Sequence, residues 1–320
     1  MAEPGSTFIS TRTVSGLEGI SGTETRDYHG TASSIYALPA DAHEYDRLEK
    51  QHRLIVHLFN GPISAPPALL AKLDADGGRV LDVGCGPGSW INLVSAEHPR
   101  VEAHATDFAP TYKQPAHGSP NKVSFELGNV LHGLPYPDDH FDFVHMRFFT
   151  GALKVEEWPK AIAELHRIIK PGGWVQLVEP DGELRARSPH RITPTIADWN
   201  ERGMRGSLRK RGGEPNAGIQ LASYAQQARF QPESIKAELR TVPLSLRSVE
   251  GVPEAHREHE RKLATLMIHD YLELVRTLAP ILCQSWDISP EEMVQWGEKV
   301  LKEAEECEAY HGFVTCVAQK

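Results

Sequence analysis

Apolar and polar positions change rhythm several times along the chain, and each change marks an element. In YALPADAHEYDRLEKQHRLIVHLFNG, from Tyr36, the residues Tyr45, Leu48, His52, Ile55 and Leu58 recur at helical spacing. Asp41 is placed to cap that helix, and Asn60, Gly61 and Pro62 to stop it. The rhythm then shortens. RVLDVG (79–84) reads as a short buried strand, GSWINLVSAEH (88–98) as a helix and VEAHATD (101–107) as an alternating strand. VSFELGN (123–129) and FDFVHM (141–146) are two further strands. WPKAIAELHRIIK (158–170) is an amphipathic helix closed by Pro171, Gly172 and Gly173, and WVQLVEP (174–180) is a fifth strand.

Beyond Pro180 the pattern is mostly helical. PTIADWNERGMRGSL and IQLASYAQQARF read as two helices, and HERKLATLMIHDYLELVRTLAP as a long one with Leu263, Leu266, Met267, Leu274 and Leu278 on one stripe. Ser289 is an N-cap with Pro290 in the first helical position of the last helix. KAELRTVPLSL (236–246) and HGFVTCVAQK (311–320) add two strands. Strands separated by helices predict an α/β fold, a doubly wound, Rossmann-like and mostly parallel seven-stranded sheet whose ligands sit at the strands' carboxyl ends. Residues 1–28, rich in Ser, Thr and Gly, predict a flexible tail. The remainder, 29–320, predicts a single domain: a helical cover (29–61), a ligand-binding core (62–180), helical additions with one strand (181–310) and a closing strand (311–320).

Composition narrows the partners. The chain has 43 acidic against 34 basic residues, a net charge of −9, which argues against a nucleic-acid partner. Cys85, Cys283, Cys307 and Cys316 have neither zinc-site spacing nor the density of a disulfide framework. No apolar run approaches the roughly 20 residues that span a bilayer, and the first residues lack a signal-peptide pattern. The expectation is a soluble, cytoplasmic protein without a membrane partner.

VLDVGCGPGSW (80–90) carries the chemistry. A G-x-G-x-x-G dinucleotide fingerprint would place its third glycine where Ser89 stands; the spacing here is Gly84-x-Gly86-x-Gly88. Asp82 at the strand's end would repel a pyrophosphate but could hold the ammonium of an amino-acid ligand such as S-adenosylmethionine (SAM). Glycine lets the backbone approach such a ligand closely. A tight turn that binds nothing is the third reading.

VLDVGCGPG, the acid Asp107 ending the second strand, GNVLHGLPYPDDHFDFVHMR and LHRIIKPGGWVQLVEP together resemble a class I SAM-dependent methyltransferase over about residues 79–180. YALPADAHEYDRLEKQH is similar to the fungal branch that holds LaeA-type regulators and secondary-metabolite enzymes. The resemblance implies SAM as cofactor and S-adenosylhomocysteine as product, and it assigns roles. Gly84, Gly86 and Gly88 would approach the methionine and ribose portions, with Asp82 near the ammonium. Asp107 would accept both ribose hydroxyls through its two oxygens. Phe108 would lie against the adenine, and Asn129 with Val130 would meet its edge. Met146 and His145, ending the fourth strand, would offer a backbone carbonyl to the ammonium. Tyr45, Arg47 and Gln51 on the first helix are further cofactor candidates, Arg47 being equally well read as a surface arginine.

A sulfonium methyl needs an acceptor placed in line, and a general base only for some acceptors. His145 is a candidate base or a hydrogen-bonded structural histidine; Arg147 could fork onto a substrate carboxylate or close a salt bridge. Glu179 is divided between substrate contact and backbone hydrogen bonding. Trp199, Met204, Tyr224, Phe230, Met267 and Tyr271 could line an acceptor pocket or simply pack. No metal site is expected. The reading is O-methylation of a small-molecule carboxylate or hydroxyl in fungal specialised metabolism. The alternative is a methyltransferase-fold regulator in a protein complex, with nuclear localisation, and a homodimer stays open.

Overall fold

The computed structural model describes residues 8–15, 23–30, 35–36, 38–39, 41–113, 123–187 and 190–320. Two strands, β1 (Phe8–Ser15) and β2 (Thr23–Gly30), pair antiparallel with Phe8 opposite Gly30. Part of the expected flexible tail is therefore a ladder, consistent with the β-branched residues Ile9, Thr11, Thr13 and Val14. The rest of that tail, 1–7 and 16–22, lies outside the described residues.

The main sheet has seven strands: β3 (Gly78–Val83), β4 (Val101–Asp107), β5 (Val123–Leu127), β6 (Phe141–Arg147), β7 (Ile169–Ala186), β8 (Lys236–Pro243) and β9 (Ala309–Gln319). Their order is β5-β4-β3-β6-β7-β9-β8, and β5, β4, β3, β6 and β7 run parallel. The closing strand runs the other way. The Gly172 N–H donates to the Lys320 carbonyl, and the Lys320 N–H to the Gly173 carbonyl, so the start of β7 meets the end of β9. The chain reverses its order of strand addition between β3 and β6, the switch point where such sheets bind ligands.

Helices are α1 (Ala42–Phe59), α2 (Pro67–Asp76), α3 (Ser89–Glu97), α4 (Trp158–Ile168), α5 (Pro194–Asp198), α6 (Gly206–Lys210), α7 (Ala217–Gln227), α8 (Glu254–Trp286) and α9 (Pro290–Glu306). Asp41 caps α1, its carboxylate accepting the Glu44 N–H at 3.0 Å. Ser289 caps α9, with Glu292 completing a capping box. α8 runs past the expected stop at Pro280 and ends at Asp287 in left-handed conformation. The helix expected across 194–208 is three pieces, because Trp199–Arg205 winds as a π-helix between α5 and α6.

Packing divides the chain into two compact units interleaved in sequence. The first comprises Met1–Leu58, Asp181–Pro215 and Arg240–Gly312; the second comprises Phe59–Pro180, Asn216–Leu239 and Phe313–Lys320. The division follows chemistry: α8 carries a buried stripe, Leu263, Met267, Tyr271, Val275, Ala279 and Leu282, that packs with its own helical neighbours α6 and α9.

In the second unit both faces of the sheet are covered, which is why RVLDVG reads as a nearly continuous apolar run. Val80 joins Leu73, Trp90, Ile91, Val94 and Phe143 on the α2–α3 face. Leu81 and Val83 join Trp158, Ile162, Leu165, Val175, Leu177 and Leu221 on the α4–α7 face. Asp82 lies between them in sequence and so shares the α3 face.

Candidate cofactor site

The carboxyl end of β3 runs into the glycine turn. Gly84, Gly86 and Gly88 have φ of +67°, +53° and +90°, left-handed values that an L side chain adopts only under strain. The turn is stitched to the strand beside it. Gly84 and Cys85 N–H groups donate to the Thr106 carbonyl at 2.8 and 3.1 Å, and the Thr111 hydroxyl donates to the Gly86 carbonyl at 3.1 Å. The Gly86 N–H donates to Asp107 Oδ2 at 2.9 Å, while Asp107 Oδ1 accepts the Ala109 N–H at 3.0 Å. Burial pushes the Asp107 carboxyl up to about 6; the backbone N–H groups of Ala109, Gly86 and Phe108 pull it down and neighbouring Asp82 raises it. A carboxylate with two acceptor oxygens is the chemistry a ribose diol requires.

Asp82 is already engaged. His145 Nδ1–H donates to Asp82 Oδ1 at 2.9 Å, the two residues being register partners on β3 and β6. The imidazole lies flat on the Trp90 indole, with centroids 4.0 Å apart and planes 6° apart. Next along the same row, Gln176 on β7 accepts the Ser64 N–H at 2.6 Å and donates to the Pro62 carbonyl at 3.0 Å. That carbonyl also accepts the Trp90 indole N–H at 2.8 Å. His145 is 1% exposed, and burial holds its pKa below the usual range. The candidate base is thus a packed, neutral histidine that orients Asp82.

Two aromatic rings lie over the glycines. A Cβ on Gly84 would come within 2.5 Å of the Phe149 ring, and one on Gly88 within 2.5 Å of the Tyr112 ring. Tyr112 is fixed by stacking on Phe125 and donating to Asn92 Oδ1 at 3.1 Å. Phe149 is fixed by Glu179, which is fully buried and accepts the Phe149 N–H at 2.7 Å, the Thr150 N–H at 3.0 Å and the Thr150 hydroxyl at 2.6 Å. Glu179 therefore serves the backbone, the second of its two sequence readings. Burial pushes it up to about 7.

The other assigned residues divide. Asn129 accepts the Leu131 N–H at 2.9 Å and bridges to Gly133, shaping the turn after β5. Val130 and Met146 have side chains in the α4–α7 core, which leaves their backbone for a ligand. Phe108 is half-buried beside Asp107, and Arg147, at the end of β6, sits 5.8 Å from the Phe148 ring centroid. Tyr45, Arg47 and Gln51 belong to the first unit. Arg47 is 3% exposed, no surface arginine, with Nη2 on Glu44 at 2.6 Å and Nη1 on Asp270 at 2.7 Å. Gln51 donates to the second Asp270 oxygen at 3.1 Å, and Tyr45 is half-buried.

Sequence reading missed Thr111, Tyr112, Phe149 and Gln176. Trp90 carried a signal, a large aromatic residue in the first turn after the last glycine. Tyr112 and Phe149 lie in connections without periodicity.

A left-handed glycine turn between two buried carboxylates, at the switch point of a sheet in this order, defines a class I SAM-dependent methyltransferase. The family described as a methyltransferase domain matches residues 55–231, over half of the chain, and the protein belongs to it. It is 28% identical over 300 residues to the methyltransferase pytC of Aspergillus terreus, covering 92% of this chain and 86% of that one. It is 32% identical over 177 residues to the secondary metabolism regulator laeA of Aspergillus fumisynnematus, covering 54% and 44%. The N-methyltransferase verN of Clonostachys rogersoniana is 32% identical over 151 residues, 47% and 51%. Among solved structures, the phosphoethanolamine N-methyltransferase 2 of Haemonchus contortus with S-adenosylhomocysteine is similar at 14% identity and a TM-score of 0.45, over 93% of this chain and 62% of that one.

No helix of the described residues is long and apolar enough to cross a membrane.

Proposed function

We propose that the protein transfers the methyl group of SAM to a small-molecule acceptor, by O-methylation of a carboxylate or hydroxyl, in fungal specialised metabolism. The observation that carries this reading is Asp107, a buried carboxylate tied to Gly86 and Ala109, at the end of the strand beside the glycine turn. The similarity to pytC over nearly the whole chain supports the metabolic setting.

When bound, SAM supplies a methyl group already activated on sulfur. Asp107 would accept from the ribose hydroxyls, and the bare turn Gly84–Gly88 would let the backbone approach. Asn129 with the backbone of Val130 would meet the adenine, and Phe108 would lie against it. Asp82, oriented by His145, would hold the ammonium, together with the backbone at Met146. Arg147 is the side chain assigned to an acceptor carboxylate, its planar fork matching two oxygens. For a carboxylate acceptor, positioning rather than proton transfer supplies the rate, because that acceptor needs no base; a hydroxyl acceptor must also give up its proton.

Methyl-labelled SAM, incubated with the protein and a whole fungal extract, tests the reading. Label in the small-molecule fraction supports it. Label on protein only, or nowhere, supports a regulator acting in a protein complex, the reading that the laeA similarity favours.

A further inference from the structure

Three successive N–H groups after the end of β6 are taken by two successive residues of β7. The Phe148 N–H donates to the Val178 carbonyl at 3.0 Å, and the next two donate to the Glu179 carboxylate, Phe149 to Oε1 at 2.7 Å and Thr150 to Oε2 at 3.0 Å. The Thr150 hydroxyl adds a second bond to Oε2 at 2.6 Å. The grip falls where the backbone most needs one. Phe148 has φ of +60°, a left-handed value that a bulky residue keeps only when its surroundings impose it. Its ring is set edge-on against Phe313 of β9, with centroids 6.1 Å apart and planes at 78°. The anchor is itself held, because Gly218 of α7 lies so near the Glu179 and Pro180 carbonyls that a Cβ there would come within 2.9 and 2.6 Å of their oxygens.

We propose that Glu179 is a positioning residue for cofactor binding: by holding residues 149 and 150 it fixes the reversal at Phe148 and sets the Phe149 ring against the glycine turn. The reversal stands between two groups that serve the site. Arg147, assigned to the acceptor, precedes it. Phe149 follows it, with ring carbons Cε2 and Cζ each 2.5 Å from where a Gly84 side chain would begin. The chemistry calls for a carboxylate, because both of its oxygens face donors. A carboxamide of the same shape would turn its NH2 toward either the Phe149 N–H or the Thr150 pair, donor against donor. Holding the ring before the cofactor arrives removes an ordering cost from binding, which is how a residue that need not touch the ligand raises its affinity. The inference rests on the cofactor reading of the glycine turn and not on the identity of the acceptor.

Two measurements on the full-length protein test it: calorimetry with S-adenosylhomocysteine, and the nuclear Overhauser contact between Gly84 Hα and the Phe149 ring protons. Glu179→Gln should lose the contact and bind S-adenosylhomocysteine about tenfold more weakly, the cost of ordering a freed side chain on binding. Phe149→Ala should lose about as much, and the double variant no more than either alone, because Glu179 acts through that ring. A carboxylate that only stabilised the fold would leave contact and affinity intact in the folded variant. Should Glu179→Gln not fold, Thr150→Val, which removes one of the three bonds, carries the same test with an expected loss of about threefold. Unchanged affinity in the folded variant, additive losses in the double variant, or no Gly84–Phe149 contact in the parent would overturn the proposal and leave the cofactor reading standing. A parent protein that does not bind S-adenosylhomocysteine would overturn the cofactor reading, and this proposal with it.

Discussion

His145 donates to Asp82 across two adjacent parallel strands and lies flat on Trp90, so one histidine fixes the acid that begins the glycine turn. Removing it should act on the fold before it acts on chemistry. His145→Ala leaves a buried carboxylate unpartnered and an indole face bare, at a cost of about 3 kcal/mol. Urea denaturation measures that loss. A variant as stable as the parent, with kcat reduced a hundredfold, would instead make His145 a base. The lowered pKa has its own sign: below about pH 6.5 the unfolded chain takes up the proton first, so this residue favours unfolding on acidification.

Asp107 works in the opposite direction. Its folded pKa of about 6 lies above the ordinary 3.8, so between those values the native state holds more protons than the unfolded chain. Its contribution to stability is therefore greatest below that window and declines as pH rises through it. Cofactor affinity runs the other way, because the ribose hydroxyls need the carboxylate. Calorimetry with S-adenosylhomocysteine from pH 8 to 5 should show affinity falling by up to about tenfold per unit below pH 6. Asp107→Asn should bind weakly at every pH without that slope. A slope that survives in the variant would place the titrating group elsewhere.

Strands β3, β4 and β6 were legible because each is short, buried over most of its length and flanked by turn residues. The cofactor turn was legible because left-handed backbone demands glycine. Partners set by tertiary approach were not. Nothing in HMRFF tells that His145 stacks on Trp90, or that Glu179, 30 residues past Phe149, accepts its N–H. Arg47 was misleading for a related reason: its spacing fits an exposed helix face, and only the arrival of Asp270 on α8 buries it. The division into two units was hidden because its boundaries at Pro180, Leu239 and Gly312 cut through strands β7, β8 and β9 rather than linkers.

Phe149 sets how far the glycine turn can be altered. Gly84→Ala meets two penalties: left-handed φ, about 1 kcal/mol, and collision with the Phe149 ring, costing about as much again. A double-mutant cycle with Phe149→Ala separates them. The coupling energy should recover the steric part, about 1 kcal/mol, and leave the backbone part. Zero coupling would mean that the ring swings aside freely, and that the hold of Glu179 on residues 149–150 does not reach it.

Arg47 decides between a structural and a ligand-binding first helix. Its guanidinium spans Glu44 and Asp270, both buried, and Gln51 completes the cluster on the second Asp270 oxygen. Deleting the cation leaves two carboxylates out of water with one amide between them, a loss of about 3–5 kcal/mol. Arg47→Ala should therefore lower the denaturation midpoint sharply. A triple change to Arg47→Met, Glu44→Leu and Asp270→Leu, which removes the charges together, should restore most of the stability. Calorimetry on that restored protein gives the decisive reading. If S-adenosylhomocysteine binds with unchanged affinity, Arg47 is part of the scaffold; if affinity falls more than tenfold in a protein of normal stability, the arginine serves the cofactor carboxylate.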